Sequence, residues 1–147
     1  MKKFVVSAVL MLMVVLGAGA QEKQGKFSPE KFQASLEQFI TSEAELTPEE
    51  AAKFFPLYRE MQTKQRAVYK KMRELSKIPQ DEASSKQAIQ RRDELEIELK
   101  QIQKTYHNKF LKVVSASKVY KTIIAEDKFH RRAFRNWGQG HHGGPKK

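Results

Sequence analysis

The sequence has no cysteine among its 147 residues, and this absence excludes several classes of protein. A chain without thiols forms no disulfide, carries no lipid on a cysteine and has no cysteine nucleophile. Three enzyme signatures are also missing: a glycine-rich phosphate loop, the HExxH zinc motif and the G-x-S-x-G nucleophile turn. We therefore expect a protein that is not an enzyme and needs no cofactor.

Long apolar runs are scarce, and the only one lies at the N-terminus. Lys2 and Lys3 precede an apolar stretch at residues 4–16, and Ala18-Gly19-Ala20 follows it. This order is typical of a signal peptide that is cleaved after the last alanine, and the stretch is shorter than the roughly 20 residues of a membrane helix. We predict that residues 1–20 are removed and that the exported protein begins at Gln21, with no stable membrane insertion.

Positive charge is in excess along the chain. The formal net charge is +11, and removing Lys2 and Lys3 with the leader leaves 26 Lys and Arg against 17 Asp and Glu, or +9. A basic surface attracts nucleic acid, anionic membrane or acidic protein segments. Because export separates the protein from most nucleic acid, we expect protein partners and no nucleic acid.

Two segments carry signals for the start of a helix. Ser28-Pro29 supplies an N-cap and a proline at the first helical position. Thr47, Pro48 and Glu50 predict a capping box, in which the threonine hydroxyl accepts from the Glu50 N–H and the glutamate accepts from the Thr47 N–H. The sequence therefore predicts a short first helix and a longer second one that ends near Lys77.

Two consecutive segments have apolar residues four and three apart, which indicates a heptad seam on each. The seam of the second helix is Phe54, Tyr58, Met61, Gln65, Val68, Met72 and Leu75, and that of the third is Ala88, Arg92, Leu95, Leu99, Ile102 and Tyr106. Residues 78–81 form a turn, after which Ser84 or Ser85 caps the third helix. Each helix has about 30 residues, and the short turn between them predicts a long antiparallel hairpin. Pro56 should bend the second helix without breaking it.

The end of the chain predicts one more helix and a tail. Ser115 caps this helix, and its buried stripe is expected to be Tyr120, Ile123, Asp127, His130, Phe134 and Trp137. A disordered tail rich in glycine, histidine and lysine follows at residues 138–147. The fold class is therefore all-α, with one domain at residues 21–137 in which shorter helices flank the hairpin.

The hairpin has apolar residues outside its seams and many basic residues among them. The candidates for binding other proteins are Phe55, Leu57, Tyr69, Ile89, Ile97, Lys64, Arg66, Lys70, Lys71, Arg73, Arg91, Arg92, Lys100 and Lys104. The first and last helices offer a structural alternative, because they could cover the apolar members. If part of the surface stays uncovered, a second copy or an unfolded protein would bind there, attracted by charge and held by apolar contact.

Histidine is the residue type in this sequence that could bind a transition metal. His141 and His142 are adjacent in the tail, and His107 and His130 lie in the predicted helices. Adjacent histidines on a flexible segment make a poor site, since imidazole ligands need a fixed geometry. We expect no metal site, with His141 and His142 as the weak candidates.

The segment Leu46-Thr47-Pro48-Glu49-Glu50, in a small basic chain with a leader and no cysteine, resembles the L-T-x-x-Q motif of the Spy/CpxP family of periplasmic proteins. That family has two such motifs, and the segment at residues 114–118, which begins Val114-Ser115, occupies the place of the second. Glu50 and Lys118 stand where the family has glutamine.

This resemblance implies a periplasmic, all-helical protein that forms a cradle-like dimer of helical hairpins. For Spy-like members it implies an ATP-independent chaperone of the holdase type, which binds unfolded or aggregation-prone envelope proteins. CpxP-like members imply an alternative, a regulatory partner of a membrane sensor protein that responds to envelope stress. Other relatives imply a sensor that responds to metal.

Overall fold

The computed structural model describes residues 27–140, with side chains for residues 27–136. It contains four α-helices: α1 at Pro29–Glu43, α2 at Pro48–Glu74, α3 at Glu82–Phe110 and α4 at Ala116–Gly140. No strand occurs within this range, which confirms the all-α prediction. The predicted signal peptide lies outside the described residues.

The helix starts follow local hydrogen bonding. The Ser28 hydroxyl accepts from the Lys31 N–H, and the predicted capping box of α2 is confirmed, because the Thr47 side chain accepts from the Glu50 N–H while Glu50 accepts from the Thr47 N–H. The start of α3 differs from the prediction. Asp81 is its N-cap in place of Ser84 or Ser85, since the Asp81 carboxylate accepts from both the N–H and the hydroxyl of Ser84.

The turn between α1 and α2 is a compact helix stop. The Leu46 N–H donates to the Thr41 carbonyl and the Glu45 N–H donates to the Ser42 carbonyl, the pair of bonds that defines a Schellman motif. Glu45 takes a positive φ of 53°, in the region where glycine is usual. Leu46 is buried, so this residue closes α1 and precedes the cap of α2.

Helices α2 and α3 pack against each other in antiparallel order. The rings of Phe54 and Phe110 lie 4.5 Å apart, the Tyr106 hydroxyl donates to Glu60 over 3.1 Å, and Lys71 pairs with Glu98 at 3.6 Å. The residue numbers of the contacting side chains therefore decrease along α3 as they increase along α2. Pro56 lies inside α2, and the helix continues past it to Glu74, three residues before the predicted end.

The buried residues form two clusters of unequal size. The larger one joins all four helices and consists of Leu36, Ile40, Ala44, Leu46, Phe54, Phe55, Tyr58, Met61, Tyr106, Phe110, Val114, Val119 and Ala125. The smaller one has only Val68, Leu95 and Leu99 as buried members, between α2 and α3. We call the part of α2 and α3 around this smaller cluster the two-helix arm.

The buried face of α4 differs from the predicted stripe. Val119, Thr122 and Ala125 are buried, whereas Tyr120 and Phe134 are 66% and 78% exposed. The small side chains at positions 122 and 125 suit close packing of α4 on α1. Of the other predicted stripe residues, Ile123 packs against the larger cluster, His130 is half-buried, Asp127 is exposed, and the side chain of Trp137 lies outside the described residues. The helix also continues to Gly140, so it includes the first residues of the predicted tail.

None of the helices in the described part of the chain has the length and apolar character needed to cross a membrane.

Candidate functional site

An open groove follows one side of the two-helix arm, with Tyr69 at its centre. It consists of three adjoining hollows of about 490, 710 and 520 Å³, and Tyr69 lines all three. The first hollow reaches Ser76 near the end of α2, and the last ends against Ile123 and Glu126 of α4. We call these three hollows together the Tyr69 groove.

Cations and apolar side chains share the lining of the groove. Its apolar members include Tyr69, Met72 and Ile97. Its basic members on α2 and α3 are Arg66, Arg73, Arg92, Lys100 and Lys104. The acidic residues of the same stretch are Asp93 and Glu96, and Glu96 lies 3.7 Å from Arg92. The arm section of the groove therefore has five cations against two carboxylates.

The apolar binding candidates separate into exposed and buried residues. Tyr69, Ile89 and Ile97 are 47%, 62% and 68% exposed, and Ile89 does not line the groove. Phe55 does not belong to the surface, because it is buried against the rings of Phe54 and Tyr58. Leu57 is half-buried and packs on the larger cluster. Phe55 and Leu57 therefore belong to the core side of α2 and not to an open surface.

The basic candidates are divided in the same way. Lys71 pairs with Glu98 and Arg91 pairs with Glu94, and neither side chain lines the Tyr69 groove. Lys64 and Lys70 are exposed and also lie outside it. Only Arg66, Arg73, Arg92, Lys100 and Lys104 among the predicted cations line the groove.

Sequence reasoning missed several residues of the groove. The heptad pattern predicts Met72 as a seam residue and gives no role to Gln103, yet both line the hollow beside Ile97. A seam residue near the open edge of a two-helix pair is only half covered, and Met72 is half-buried. Flexible thioether side chains at such edges are typical of surfaces that adapt to varied partners.

A polar cluster closes the groove at its α4 end. Glu126 accepts a hydrogen bond of 2.9 Å from the Tyr58 hydroxyl and lies 3.9 Å from Nε2 of His130. The nearby Glu126 carboxylate raises the pKa of His130, while burial lowers the pKa of His107, which lines the same hollow. Burial next to the Glu126 carboxylate also raises the pKa of Tyr58.

Metal ligands do not converge in the described part of the chain. No group of three or more histidine and carboxylate side chains within it has a geometry that could hold an ion. His141 and His142, the weak candidates from the sequence, lie outside the described residues.

The two motif segments meet in space. Leu46 and Val114 are buried in the same cluster. The Ser115 carbonyl accepts from the Val119 N–H at the start of α4, as the Thr47 carbonyl accepts from the Ala51 N–H at the start of α2. Glu50 and Lys118, the last residues of the two segments, are in direct contact, because Nζ of Lys118 lies 2.6 Å from a carboxylate oxygen of Glu50. This hydrogen bond with Lys118, together with that from Thr47, lowers the pKa of Glu50.

Comparisons of this chain with protein-family models, with curated proteins and with solved structures found no match. The resemblance to the Spy/CpxP family therefore depends on the residues of the two motif segments alone.

Proposed function

We propose that this protein is a periplasmic, ATP-independent chaperone of the holdase type, which binds unfolded or aggregation-prone envelope proteins in the Tyr69 groove. The groove itself is the observation that carries this proposal. The groove places exposed apolar side chains among cations that outnumber the carboxylates of the same stretch. The motif resemblance points to the same function.

An unfolded chain would bind to this lining in two steps. Cations on both helices raise the rate of encounter with acidic segments, an effect that acts over roughly 8 Å at physiological salt. Tyr69, Met72 and Ile97 then provide apolar contact with no deep pocket for one particular side chain. A shallow surface of this kind favours weak binding to many sequences over tight binding to one.

We also propose that the protein is a cradle-like dimer of helical hairpins. The two-helix arm has only three buried apolar residues, and helices in proteins owe most of their stability to packing of an apolar face. A second copy packed along the arm would supply the missing contact. Sedimentation of the purified protein tests this directly, because a monomer at micromolar concentration would contradict the dimer.

Aggregation of a chemically denatured protein, followed by light scattering without nucleotide, tests the chaperone proposal. We expect the mature protein to suppress scattering near a stoichiometric ratio, with less protection at high salt. The double variant Y69S/I97S should lose most of this protection. A matched control, Y120S/I124S, removes two exposed apolar side chains from α4 and should protect as well as the native protein.

Equal protection by Y69S/I97S and the native protein would contradict the assignment of the groove. No protection of several unrelated denatured proteins would instead favour the alternative, a regulatory partner of a membrane sensor in the envelope. In that case a pull-down from envelope extract should recover one stoichiometric membrane protein, whereas a chaperone recovers many different ones.

A further inference from the structure

Three lysines of helix α4 are paired with carboxylates, whereas two of its arginines are not. Lys118, Lys121 and Lys128 form ion pairs with three glutamates at the end of α1 and the start of α2, namely Glu50, Glu45 and Glu43. By contrast, no carboxylate among the described side chains lies within 4.0 Å of Arg131 or Arg135. The three lysines therefore help to hold α4 against the end of α1 and the start of α2, and these two arginines have no carboxylate partner among the described side chains.

The uncompensated arginines belong to an outward stripe of α4. At 3.6 residues per turn, Tyr120, Ile124, Arg131 and Phe134 fall within about a quarter of the circumference of the helix. Tyr120, Ile124 and Phe134 are 66%, 44% and 78% exposed. Arg135 borders the stripe, and with Phe134 and Arg131 it lines a shallow hollow of about 640 Å³. Asp127, which lines the same hollow, is the one carboxylate of the stripe.

We propose that this face of α4 docks on an anionic lipid surface. A helix that presents aromatic and aliphatic side chains together with arginine on one side is suited to the boundary between headgroups and acyl chains. Aromatic rings settle at that boundary, and guanidinium groups donate paired hydrogen bonds to phosphate oxygens. The charge of the stripe complements such a surface, since two arginines outweigh Asp127.

The proposed membrane contact adjoins the Tyr69 groove at Asp127 and His130, which line hollows of both, but its exposed apolar side chains and its arginines are not part of the groove. It would hold the protein beside the membrane from which unfolded envelope proteins emerge. Each basic residue near an anionic surface contributes about fivefold in binding, so R131Q/R135Q should bind about 25-fold more weakly. F134S should lose about tenfold through its apolar contact.

Flotation with lipid vesicles tests the proposal on the mature protein recovered after export. We expect binding to vesicles that contain equal parts of phosphatidylglycerol and phosphatidylcholine, little binding to phosphatidylcholine alone, and release at high salt. The matched control is K64Q/K70Q, which removes two exposed cations from α2 and should bind as the native protein does. Melting temperatures of all variants should be unchanged, since the replaced side chains are exposed.

Three results would overturn the proposal. The native protein could fail to float with the anionic vesicles, R131Q/R135Q could bind them as tightly as the native protein, or K64Q/K70Q could lose as much binding. A change in sedimentation caused by R131Q/R135Q and F134S, with vesicle binding intact, would assign the stripe to contact between two copies. If the native protein suppressed aggregation fully but did not float with the anionic vesicles, the membrane proposal would fail and the chaperone proposal would remain.

Discussion

The cap of α2 leads to a prediction that can be calculated from one hydrogen bond. In T47A the helix loses the acceptor of the Glu50 N–H, a bond of 3.2 Å, while the bond from the Thr47 N–H to the Glu50 carboxylate remains possible. Loss of a threonine N-cap costs about 1 kcal/mol in the free energy of unfolding. With about 2 cal/mol/K of unfolding entropy per residue, this corresponds to a fall of about 4 °C in melting temperature.

The same substitution elsewhere in α2 is the control for T47A. Thr63 is exposed, and its hydroxyl donates to the carbonyl of Arg59 one turn earlier. Because alanine has the higher helix propensity, T63A should leave the melting temperature unchanged or raise it. Thermal unfolding followed by circular dichroism measures both variants. An equal effect of T47A and T63A would refute the structural role of the cap, and loss of aggregation suppression by folded T47A would assign Thr47 to binding.

Three further predictions follow from the packing and the charges. L95A should lower the free energy of unfolding by about 2–5 kcal/mol in denaturant titrations, because Leu95 is fully buried in the smaller cluster, and a smaller loss would mean that the arm collapses around the cavity. The melting temperature of E50Q/K118Q should be higher than the summed losses of the single variants E50Q and K118Q predict, because the double variant leaves no unpaired charge. Strictly additive losses would contradict the coupling of the two motif segments. Hydrogen-bonded basic partners lower the pKa values of Glu37, Glu45 and Glu50 from 4.5. The stabilisation of the fold by these three carboxylates is therefore complete above about pH 4.5 and is lost as the pH falls through the lowered pKa values. A melting temperature that stays constant down to about pH 3 would contradict this.

Local signals in the sequence were sufficient for most helix starts. The capping box at Thr47 depends on residues within one turn of each other, so it does not require knowledge of the tertiary fold. The prediction of the α3 cap was wrong because aspartate and serine are both good N-cap residues. Only the geometry of the turn selects Asp81 over Ser84 and Ser85.

The orientation of α4 could not be predicted from its own residues. Apolar side chains occur on more than one side of this helix, so the periodicity permits two buried faces. Packing against α1 decides between them. The face with Val119 and Ala125 allows close approach, and it also brings Lys121 and Lys128 to glutamates near the end of α1.

The composition of the candidate site was predicted better than its boundary. Basic and apolar residues on α2 and α3 were expected to form a surface, and Tyr69, Ile97 and Lys100 line one. Which members share a side depends on the crossing of the two helices, which periodicity alone does not determine. Ion pairing also distinguishes basic residues that are neighbours in the sequence. Lys71, for example, pairs with Glu98 and lies outside the groove.

Site-specific photocrosslinking tests most directly whether unfolded proteins bind in the Tyr69 groove. A photoreactive phenylalanine analogue would replace Tyr69 in one variant and Lys64, which is exposed but outside the groove, in another. Each variant would be illuminated with the same protein in its denatured and in its native form. The account predicts strong crosslinks from position 69 to the denatured form only, and weak crosslinks from position 64. Equal crosslinking from both positions, or none from position 69 under conditions where aggregation is suppressed, would contradict it.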